Sequence, residues 1–147
     1  MFQGNLWLIY IAGGGAPLKA VHVEKKEVPL FIDEFPVLCV AASQAEGVTT
    51  IRGAEELRVK ESDRISAMAT ELRKLGVTLE EYPDGISIEG KAGLKGSEVE
   101  SYGDHRIAMA LSVAALISEG TTVLKHPSCV DISYPGFFSV LERLRET

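Results

Sequence analysis

Residues 57–76 read LRVKESDRISAMATELRKLG and join a charged octet, residues 57–64, to an amphipathic segment. Six residues of the octet are charged or carry a hydroxyl, and only Leu57 and Val59 are apolar. Apolar or small residues then recur close to the spacing of one helical face, at Ile65, Ala69, Leu72 and Leu75. Gly76 is a favourable end for a helix because glycine adopts the left-handed conformation without steric cost. The pattern predicts a helix that continues the octet without a break.

The octet carries the groups that an anion-binding site needs. Unpaired backbone N–H groups and the macrodipole at a helix N-terminus favour an anion. Lys60 and Arg64 add cations, while Glu61 and Asp63 add carboxylates. On its own, however, a charged stretch at a helix start is more typical of a solvated capping segment. A binding site therefore needs support from other parts of the chain.

Composition narrows the class of protein. A length of 147 residues fits one domain or a piece of a larger one. The hydrophobic fraction of 46% and the charged fraction of 24% are typical of a globular protein with a buried core. The net charge of -6 argues against nucleic-acid binding as the main role, because such proteins usually carry a basic excess.

The cysteines and the apolar runs indicate a cytoplasmic protein without a membrane segment. Cys39 and Cys129 stand among apolar neighbours, which predicts buried, reduced thiols and neither a disulfide framework nor a metal site. The longest apolar run, Leu6–Ala12, is too short to span a bilayer. It also lacks the preceding basic residue of a signal peptide.

The sequence predicts alternating helices and strands after an irregular or artificial start at residues 1–16. A strand is conceivable at Leu6–Ile11, and the three glycines that follow lack the lysine of a phosphate-binding loop. The main domain is assigned to residues 17–147. Strands are expected at Ala20–Val23, Val48–Ile51, Val77–Glu81, Ile86–Ile88, Ser97–Glu100 and Thr121–Leu124. Helices are expected at Ile32–Ala45 with Asp33 as N-cap, at residues 104–120 and at Pro135–Arg145.

The chain contains an internal repeat. Residues 41–47, AASQAEG, precede a threonine-rich strand and Arg52, and residues 114–120, AALISEG, precede a similar strand and Lys125. The copies cover about residues 30–90 and 97–147. Repetition of a helix–strand–helix unit predicts an α/β domain built from copies of one supersecondary structure. Side-by-side packing of the copies would bring Asp33, residues 60–64 and residues 104–106 together.

The converging side chains suggest acid–base chemistry on an anionic ligand. Lys60, Arg64 and Arg106 suit a ligand with several negative charges, such as a phosphate plus a carboxylate. Asp33 and Glu61, carboxylates among these cations, are candidates for general acid and base. The sequence has no pattern of a nucleophilic triad or of a zinc-binding helix.

Two motifs, LRVKESDRI at residues 57–65 and GDHRIAM at residues 103–109, resemble the C-terminal signatures of the 5-enolpyruvylshikimate-3-phosphate synthases, or 3-phosphoshikimate 1-carboxyvinyltransferases. Ile32–Pro36 and Cys129–Phe138 fit the same family at the same relative places. The resemblance implies transfer of the enolpyruvyl group of phosphoenolpyruvate to the 5-hydroxyl of shikimate 3-phosphate, with release of phosphate. This reaction belongs to aromatic amino acid biosynthesis, and the family uses no metal or organic cofactor.

The resemblance also implies roles for individual residues. Asp33 would hold and deprotonate the substrate 5-hydroxyl. Glu61 would protonate the methylene of phosphoenolpyruvate and later remove a proton from the tetrahedral intermediate, with Lys60 beside the reacting oxygen. Arg64 and Arg106 would bind the anionic groups of phosphoenolpyruvate.

Two further positions are less clearly assigned. His105 would be a neighbour of the site, either as a proton carrier or as a polar residue at a helix start. Ile132 stands where many family members carry a lysine that contacts phosphoenolpyruvate, so this sequence departs from the family pattern there.

The fold implied is the inside-out α/β barrel of repeated βαβαββ units, of which this chain would supply about two. The family's N-terminal part, which holds most residues that grip shikimate 3-phosphate, has no counterpart in this sequence. We therefore expect a C-terminal fragment that is inactive alone. The alternative is a non-catalytic binding or structural module that pairs with a separate N-terminal half. Open sheet edges or helix faces would favour a homodimer.

Overall fold

In the computed structural model, which describes residues 17–145, one βαβαββ unit is followed by a βαβα stretch. The strands are β1 (His22–Val23), β2 (Val48–Ile51), β3 (Leu79–Tyr82), β4 (Gly85–Glu89), β5 (Glu98–Glu100) and β6 (Val123–Lys125). The helices are α1 (Phe35–Gln44), α2 (Arg64–Lys74), α3 (His105–Leu116), α4 (Val130–Ser133) and α5 (Phe137–Arg145). Short 3-10 turns cover Val28–Leu30, Ile32–Glu34, Glu55–Val59 and Pro127–Cys129. The predicted α/β class is confirmed. The strand predicted at Leu6–Ile11 lies outside the described residues.

The first unit forms a four-stranded sheet in the order β1-β2-β4-β3. β1 runs parallel to β2, and the hairpin β3–β4 adds two antiparallel strands to the other edge of β2. Tyr82 pairs with Gly85 across a turn at Pro83 and Asp84, so the strands predicted at Val77–Glu81 and Ile86–Ile88 form a hairpin. A Cβ atom at Gly85 would collide with the carbonyl of Ile51, and only glycine lets the hairpin approach β2 this closely. His22 is exposed on the edge strand β1.

The second unit repeats the start of the first. β5 runs parallel to β6, and an isolated bridge joins Lys95 to Glu119 as another joins Lys19 to Glu46. Helices α1, α2 and α3 pack against one another, and the four-stranded sheet covers α1 and α2. The largest fully buried apolar side chains are Phe35, Ile51, Leu57, Ile65, Met68, Leu72, Leu75, Ile86, Ile88, Ile107 and Leu111. Within residues 17–145, no helix is long and apolar enough to cross a membrane.

Several element boundaries differ from the predictions. The helix expected to begin with Asp33 as its N-cap begins at Phe35, and Asp33 lies in the preceding 3-10 turn, so the capping prediction is wrong. The octet is not a continuous helix start either. A 3-10 turn over Glu55–Val59 is followed by a bend, and α2 begins at Arg64 with Asp63 as its cap, accepting from the Ser66 N–H at 3.0 Å.

The second half of the chain shows similar shifts. α3 ends at Leu116, ahead of the expected end at Gly120. The short helix α4 lies before the predicted terminal helix and was not expected. Cys39 is buried as predicted, but Cys129 is only half-buried, and both are free thiols.

A buried carboxylate joins the two units. Glu71 on α2 is fully buried and accepts hydrogen bonds from the Tyr102 hydroxyl at 2.7 Å and from the Glu100 N–H at 3.0 Å. The Lys74 ammonium donates to both of its oxygens at 2.9 Å. Burial and the hydrogen bond to Glu71 raise the pKa of the Tyr102 hydroxyl to about 12. The contact holds α2 against the start of the second unit.

Replacing Tyr102 by Phe should lower the free energy of unfolding by about 1.5 kcal/mol, because Glu71 loses a hydrogen bond to a buried charged group. Urea denaturation of the variant and the parent measures the change. Tyr82→Phe is the matched control, since its hydroxyl donates to the exposed Glu80 at 2.9 Å. Equal destabilisation by both substitutions would contradict a special role for the Glu71 contact.

Candidate functional site

The centre of the site is an ion pair between two helix N-termini. Arg64 is the first residue of α2, and its side chain is only 1% exposed. Its Nε donates to Oδ2 of Asp104 at 2.9 Å, and its Nη2 lies 3.4 Å from Oδ1. Asp104 is fully buried and is the N-cap of α3. The pair therefore fixes the start of α2 against the start of α3.

Asp104 has partners for both of its oxygens. The Ser62 hydroxyl donates to Oδ2 at 2.9 Å, and the Arg106 N–H donates to Oδ1 at 3.0 Å. Burial opposes ionisation of Asp104, but the hydrogen bonds from Arg64 and Ser62 outweigh it and hold the pKa of the carboxyl below its usual value. The buried charges of Arg64 and Asp104 are thus paired and hydrogen-bonded, as stable burial of ions requires.

Two half-exposed carboxylates form the rim of the site. Nη2 of Arg64 donates to Oε2 of Glu61 at 2.6 Å, and Nη1 lies 3.3 Å from Oδ1 of Asp33. The other oxygen of Asp33 lies 3.7 Å from Nη2 of Arg106, whose Nη1 also donates to the Asp33 carbonyl at 3.2 Å. Asp33 and Glu61 are 50% and 53% exposed. Oδ1 of Asp33 thus lies near the buried guanidinium of Arg64, and Oδ2 lies near the partly exposed guanidinium of Arg106.

The two arginines differ in what they can still bind. Arg64 is enclosed, and its three nitrogens already face three carboxylates. Arg106 is 34% exposed, and within residues 17–145 its guanidinium contacts only Asp33, at 3.2 Å from the carbonyl and 3.7 Å from Oδ2. Arg106 is therefore the cation in this group that an incoming anion can reach without unpacking a helix. Asp33 and Arg106 also border a cavity of about 220 Å³ whose other walls are mostly apolar.

The predicted site residues are only partly brought together. Asp33, Glu61, Arg64 and Arg106 form one connected cluster. Lys60 instead pairs with Glu56 at 3.1 Å, four residues earlier in the chain. The side chain of His105, the first residue of α3, makes no hydrogen bond with another residue of the described chain.

Sequence reasoning missed the residues that hold the cluster. The start of α3 was recognised from Asp104, but its pairing with Arg64, 40 positions away, left no local signal. Arg58 was also missed: its guanidinium donates to Asp63 at 2.9 Å and to the Tyr82 carbonyl at 2.6 Å, which ties the octet to the hairpin.

Ile132, which stands where many family members carry a lysine, lies on the short helix α4. It is 89% exposed there. An exposed isoleucine offers no donor to an anion. Within residues 17–145, no group of three histidine, cysteine, aspartate or glutamate side chains is arranged to hold a metal ion.

Comparison with known proteins places these features in one family. Residues 9–141 match the family model of EPSP synthase (3-phosphoshikimate 1-carboxyvinyltransferase). The match begins ahead of the predicted domain start at residue 17, and that boundary stays a prediction. The 3-phosphoshikimate 1-carboxyvinyltransferase of Thermodesulfovibrio yellowstonii is 55% identical over 135 residues, covering 92% of this chain and 31% of the relative. The enzyme of that name from Pelobacter propionicus is 57% identical over 128 residues, which cover 87% of this chain and 30% of the relative.

Solved structures give the same result. EPSP synthase from Acinetobacter baumannii superposes with a TM-score of 0.82 at 45% identity, covering 86% of this chain and 30% of that one. The enolpyruvyl transferase NikO from Streptomyces tendae gives a TM-score of 0.69 at 25% identity. The superposition covers 87% of this chain and 28% of NikO. The chain thus spans about 30% of the length of these proteins.

Replacing Arg64 by Leu should destabilise the fold by about 3–5 kcal/mol, because the buried Asp104 carboxylate loses its counter-charge. Urea denaturation at neutral pH measures the loss. Lys25→Met is the control, since Lys25 and its partner Glu55 are both exposed and their removal should barely change the midpoint. A similar midpoint for both variants would rule out the buried pair as a stabilising contact.

Acid should weaken the fold through Asp104. Because its pKa is lower in the folded than in the unfolded chain, ionised Asp104 stabilises the fold above about pH 4, the ordinary value for aspartate. This stabilisation is lost as the pH falls through the lowered folded value. We expect Asp104→Asn to be less stable at neutral pH but to lose less stability between neutral pH and about pH 3. Urea midpoints over a pH series measure both curves, and parallel curves would contradict the assignment.

Proposed function

Because the chain belongs to the EPSP synthase (3-phosphoshikimate 1-carboxyvinyltransferase) family, we propose that it supplies one face of that enzyme's active site. The reaction is the transfer of the enolpyruvyl group of phosphoenolpyruvate to the 5-hydroxyl of shikimate 3-phosphate, with release of phosphate. The protein would act in the cytoplasm and would need no metal or organic cofactor. Its substrates and the rest of the enzyme are its proposed partners.

The cluster at the helix N-termini carries the proposal. Two half-exposed carboxylates, Asp33 and Glu61, lie on either side of a guanidinium that Asp104 holds in the interior. Proton transfer needs carboxylates that a substrate can reach and that rigid elements position. Anion binding needs a cation at the same rim, and Arg106 provides it.

Asp33 is suited to accept the proton of the substrate hydroxyl. Its Oδ2 faces Nη2 of Arg106 at 3.7 Å, a distance too long for a strong hydrogen bond. An anionic group of phosphoenolpyruvate that takes over Arg106 would leave Oδ2 free to face the hydroxyl. Oδ1 would stay against Arg64, which keeps the carboxylate in place.

Glu61 is suited to give and take back a proton at the other end of the cluster. Its contact with Arg64 at 2.6 Å fixes one oxygen, and the side chain is 53% exposed. Closure of the site by the rest of the enzyme would exclude water and bring the methylene of phosphoenolpyruvate to the second oxygen. Glu61 would then protonate the methylene and afterwards remove a proton from the tetrahedral intermediate.

Lys60 and His105 have supporting roles in this proposal. The pair Lys60–Glu56 involves a 66% exposed carboxylate, and such surface pairs contribute little stability. A phosphate group can therefore draw the Lys60 ammonium towards the reacting oxygen. His105 lies at the start of α3 beside Arg106 and would border the same ligand.

A chimeric enzyme tests the function. The matched segment of the Thermodesulfovibrio yellowstonii relative is replaced by the corresponding residues of this chain, and phosphate release is followed with both substrates. We expect turnover by the chimera and none by the isolated chain, because a closing site needs both faces to position the second substrate. Turnover by the isolated chain would show that it holds a complete site. A folded chimera without turnover would favour the alternative, a non-catalytic module of the same fold.

Within an active chimera, Glu61→Gln should lower kcat by about 10²- to 10⁴-fold, the usual contribution of a general acid–base group. Binding of phosphoenolpyruvate should change little, because Arg106, the cation that a ligand can reach, remains. Steady-state kinetics and a fluorescence titration separate the two effects. Glu55→Gln is the control: it changes the same residue type in the preceding 3-10 turn, where the carboxylate pairs with Lys25. An equal loss of binding and turnover would instead mark Glu61 as a structural partner of Arg64.

A further inference from the structure

A short segment between two regular elements carries polar side chains of the site. This segment, the bend at residues 60–62, follows the 3-10 turn Glu55–Val59 and precedes α2. Within the bend, the Glu61 carboxylate accepts from Arg64 and the Ser62 hydroxyl donates to Asp104. The conformation of the bend therefore determines where the proposed proton carrier, Glu61, lies.

Apolar packing does not hold the bend. Leu57 and Arg64 are buried, but none of the six residues between them is, and Val59 is 80% exposed. The bend also lies outside every helix and strand of residues 17–145, so no regular backbone hydrogen bonding fixes it. Its conformation must come from polar contacts at its two ends.

Arg58 makes such contacts just ahead of the bend. Its Nε donates to the Pro83 carbonyl at 2.7 Å, and its Nη2 donates to the Tyr82 carbonyl at 2.6 Å. Nη1 donates to Oδ2 of Asp63 at 2.9 Å, and both terminal nitrogens reach Oε1 of Glu81, at 3.1 and 3.2 Å. One guanidinium therefore joins both ends of the bend to the turn of the β3–β4 hairpin.

The hairpin turn is a firm support for this bridge. The Ala54 N–H donates to the Asp84 carbonyl at 2.7 Å, and the Gly53 N–H donates to Oδ2 of Asp84 at 3.0 Å. Nε of Arg52 donates to Oδ1 of Asp84 at 2.9 Å, and the Arg52 guanidinium lies 4.3 Å from the centre of the Tyr82 ring. The turn is thus held by the residues that follow β2, independently of Arg58.

Asp63 carries the bridge to the other end of the bend. Its Oδ1 caps α2 by accepting from the Ser66 N–H at 3.0 Å, while Oδ2 accepts from Arg58. One carboxylate therefore links the first turn of α2 to the hairpin. A lysine cannot replace Arg58 here, because an ammonium lacks the planar fork that reaches a carboxylate and two carbonyls from three nitrogens.

We propose that Arg58 is a positioning residue for the proton transfers assigned to Glu61. It bridges Asp63 to the hairpin turn and so holds the bend in one conformation, which keeps Glu61 beside Arg64 at the rim of the site. Arg58 acts on the reaction through the bend. This inference rests on the proposed function of Glu61, but the order of the bend can be measured without any reaction.

NMR relaxation of the full chain tests whether Arg58 orders the bend. The parent should give backbone order parameters of about 0.85 at residues 60–62, and Arg58→Lys should lower them to below about 0.6 while α2 stays rigid. Arg73→Lys is the matched control, since Arg73 on α2 lies 3.8 Å from the other oxygen of Glu81 and is 47% exposed. Unchanged order parameters at residues 60–62 in Arg58→Lys would overturn the proposal.

A double-mutant cycle in the active chimera tests the connection to Glu61. Arg58→Lys should lower kcat by about tenfold to 10²-fold, the cost of a misplaced catalytic group, with little change in the KM for phosphoenolpyruvate. In a Glu61→Gln background, the same substitution should lower kcat by less than about threefold, because the group that it misplaces is already absent. Equal losses in both backgrounds would refute the proposal, since a general weakening of the fold acts independently of Glu61.

The cycle also separates this inference from the proposed function. A large loss of kcat in Glu61→Gln, together with an unchanged kcat in Arg58→Lys, would remove the role of Arg58 and leave the role of Glu61 intact. No loss in Glu61→Gln alone would remove the role of Glu61 and, with it, the catalytic role of Arg58. The order parameters would then still decide whether Arg58 holds the bend.

Discussion

The buried pair of Arg64 and Asp104 is the constraint on which the rest of the molecule depends. Removing two charges from water is costly, and the pair is tolerable only because Ser62 and the Arg106 backbone complete the hydrogen bonding of the carboxylate. Arg64 begins a helix of the first unit and Asp104 caps a helix of the second. One interaction therefore sets both the relation of the units and the position of the rim carboxylates.

The same pair makes the two arginines differ in exposure: Arg64 is buried and Arg106 is partly exposed. Because Asp104 holds Arg64 in the interior, Arg64 positions Asp33 and Glu61 more readily than it meets a ligand. The Arg106 side chain is 34% exposed and contacts Asp33 at the rim of the site. In the proposed function, a rigid interior cation beside a reachable one would let the site bind a charged ligand while its carboxylates keep their geometry.

Local patterns in the sequence predicted most strands, most helices and the repeat, because these depend on spacing and on turn residues. Contacts between distant residues were beyond such reasoning. Asp33 reads as a helix cap, yet two arginines far along the chain compete for its carboxylate and the helix starts later. Lys60 was expected to join the cluster, but Glu56, one helical turn away, is its nearest partner. The four residues that do converge were named because the repeat implied side-by-side packing.

The repeat also allows the burial of equivalent residues in the two units to be compared. Both units have two threonines close to their second strand, Thr49 and Thr50 within β2 and Thr121 and Thr122 just ahead of β6. Ile51 in β2 of the first unit is fully buried, whereas Leu124, at the equivalent position in β6, is only half-buried. The Arg64–Asp104 pair lies at the N-terminal end of α3, and β6 packs against the same helix, so α3 connects the cluster to the second sheet.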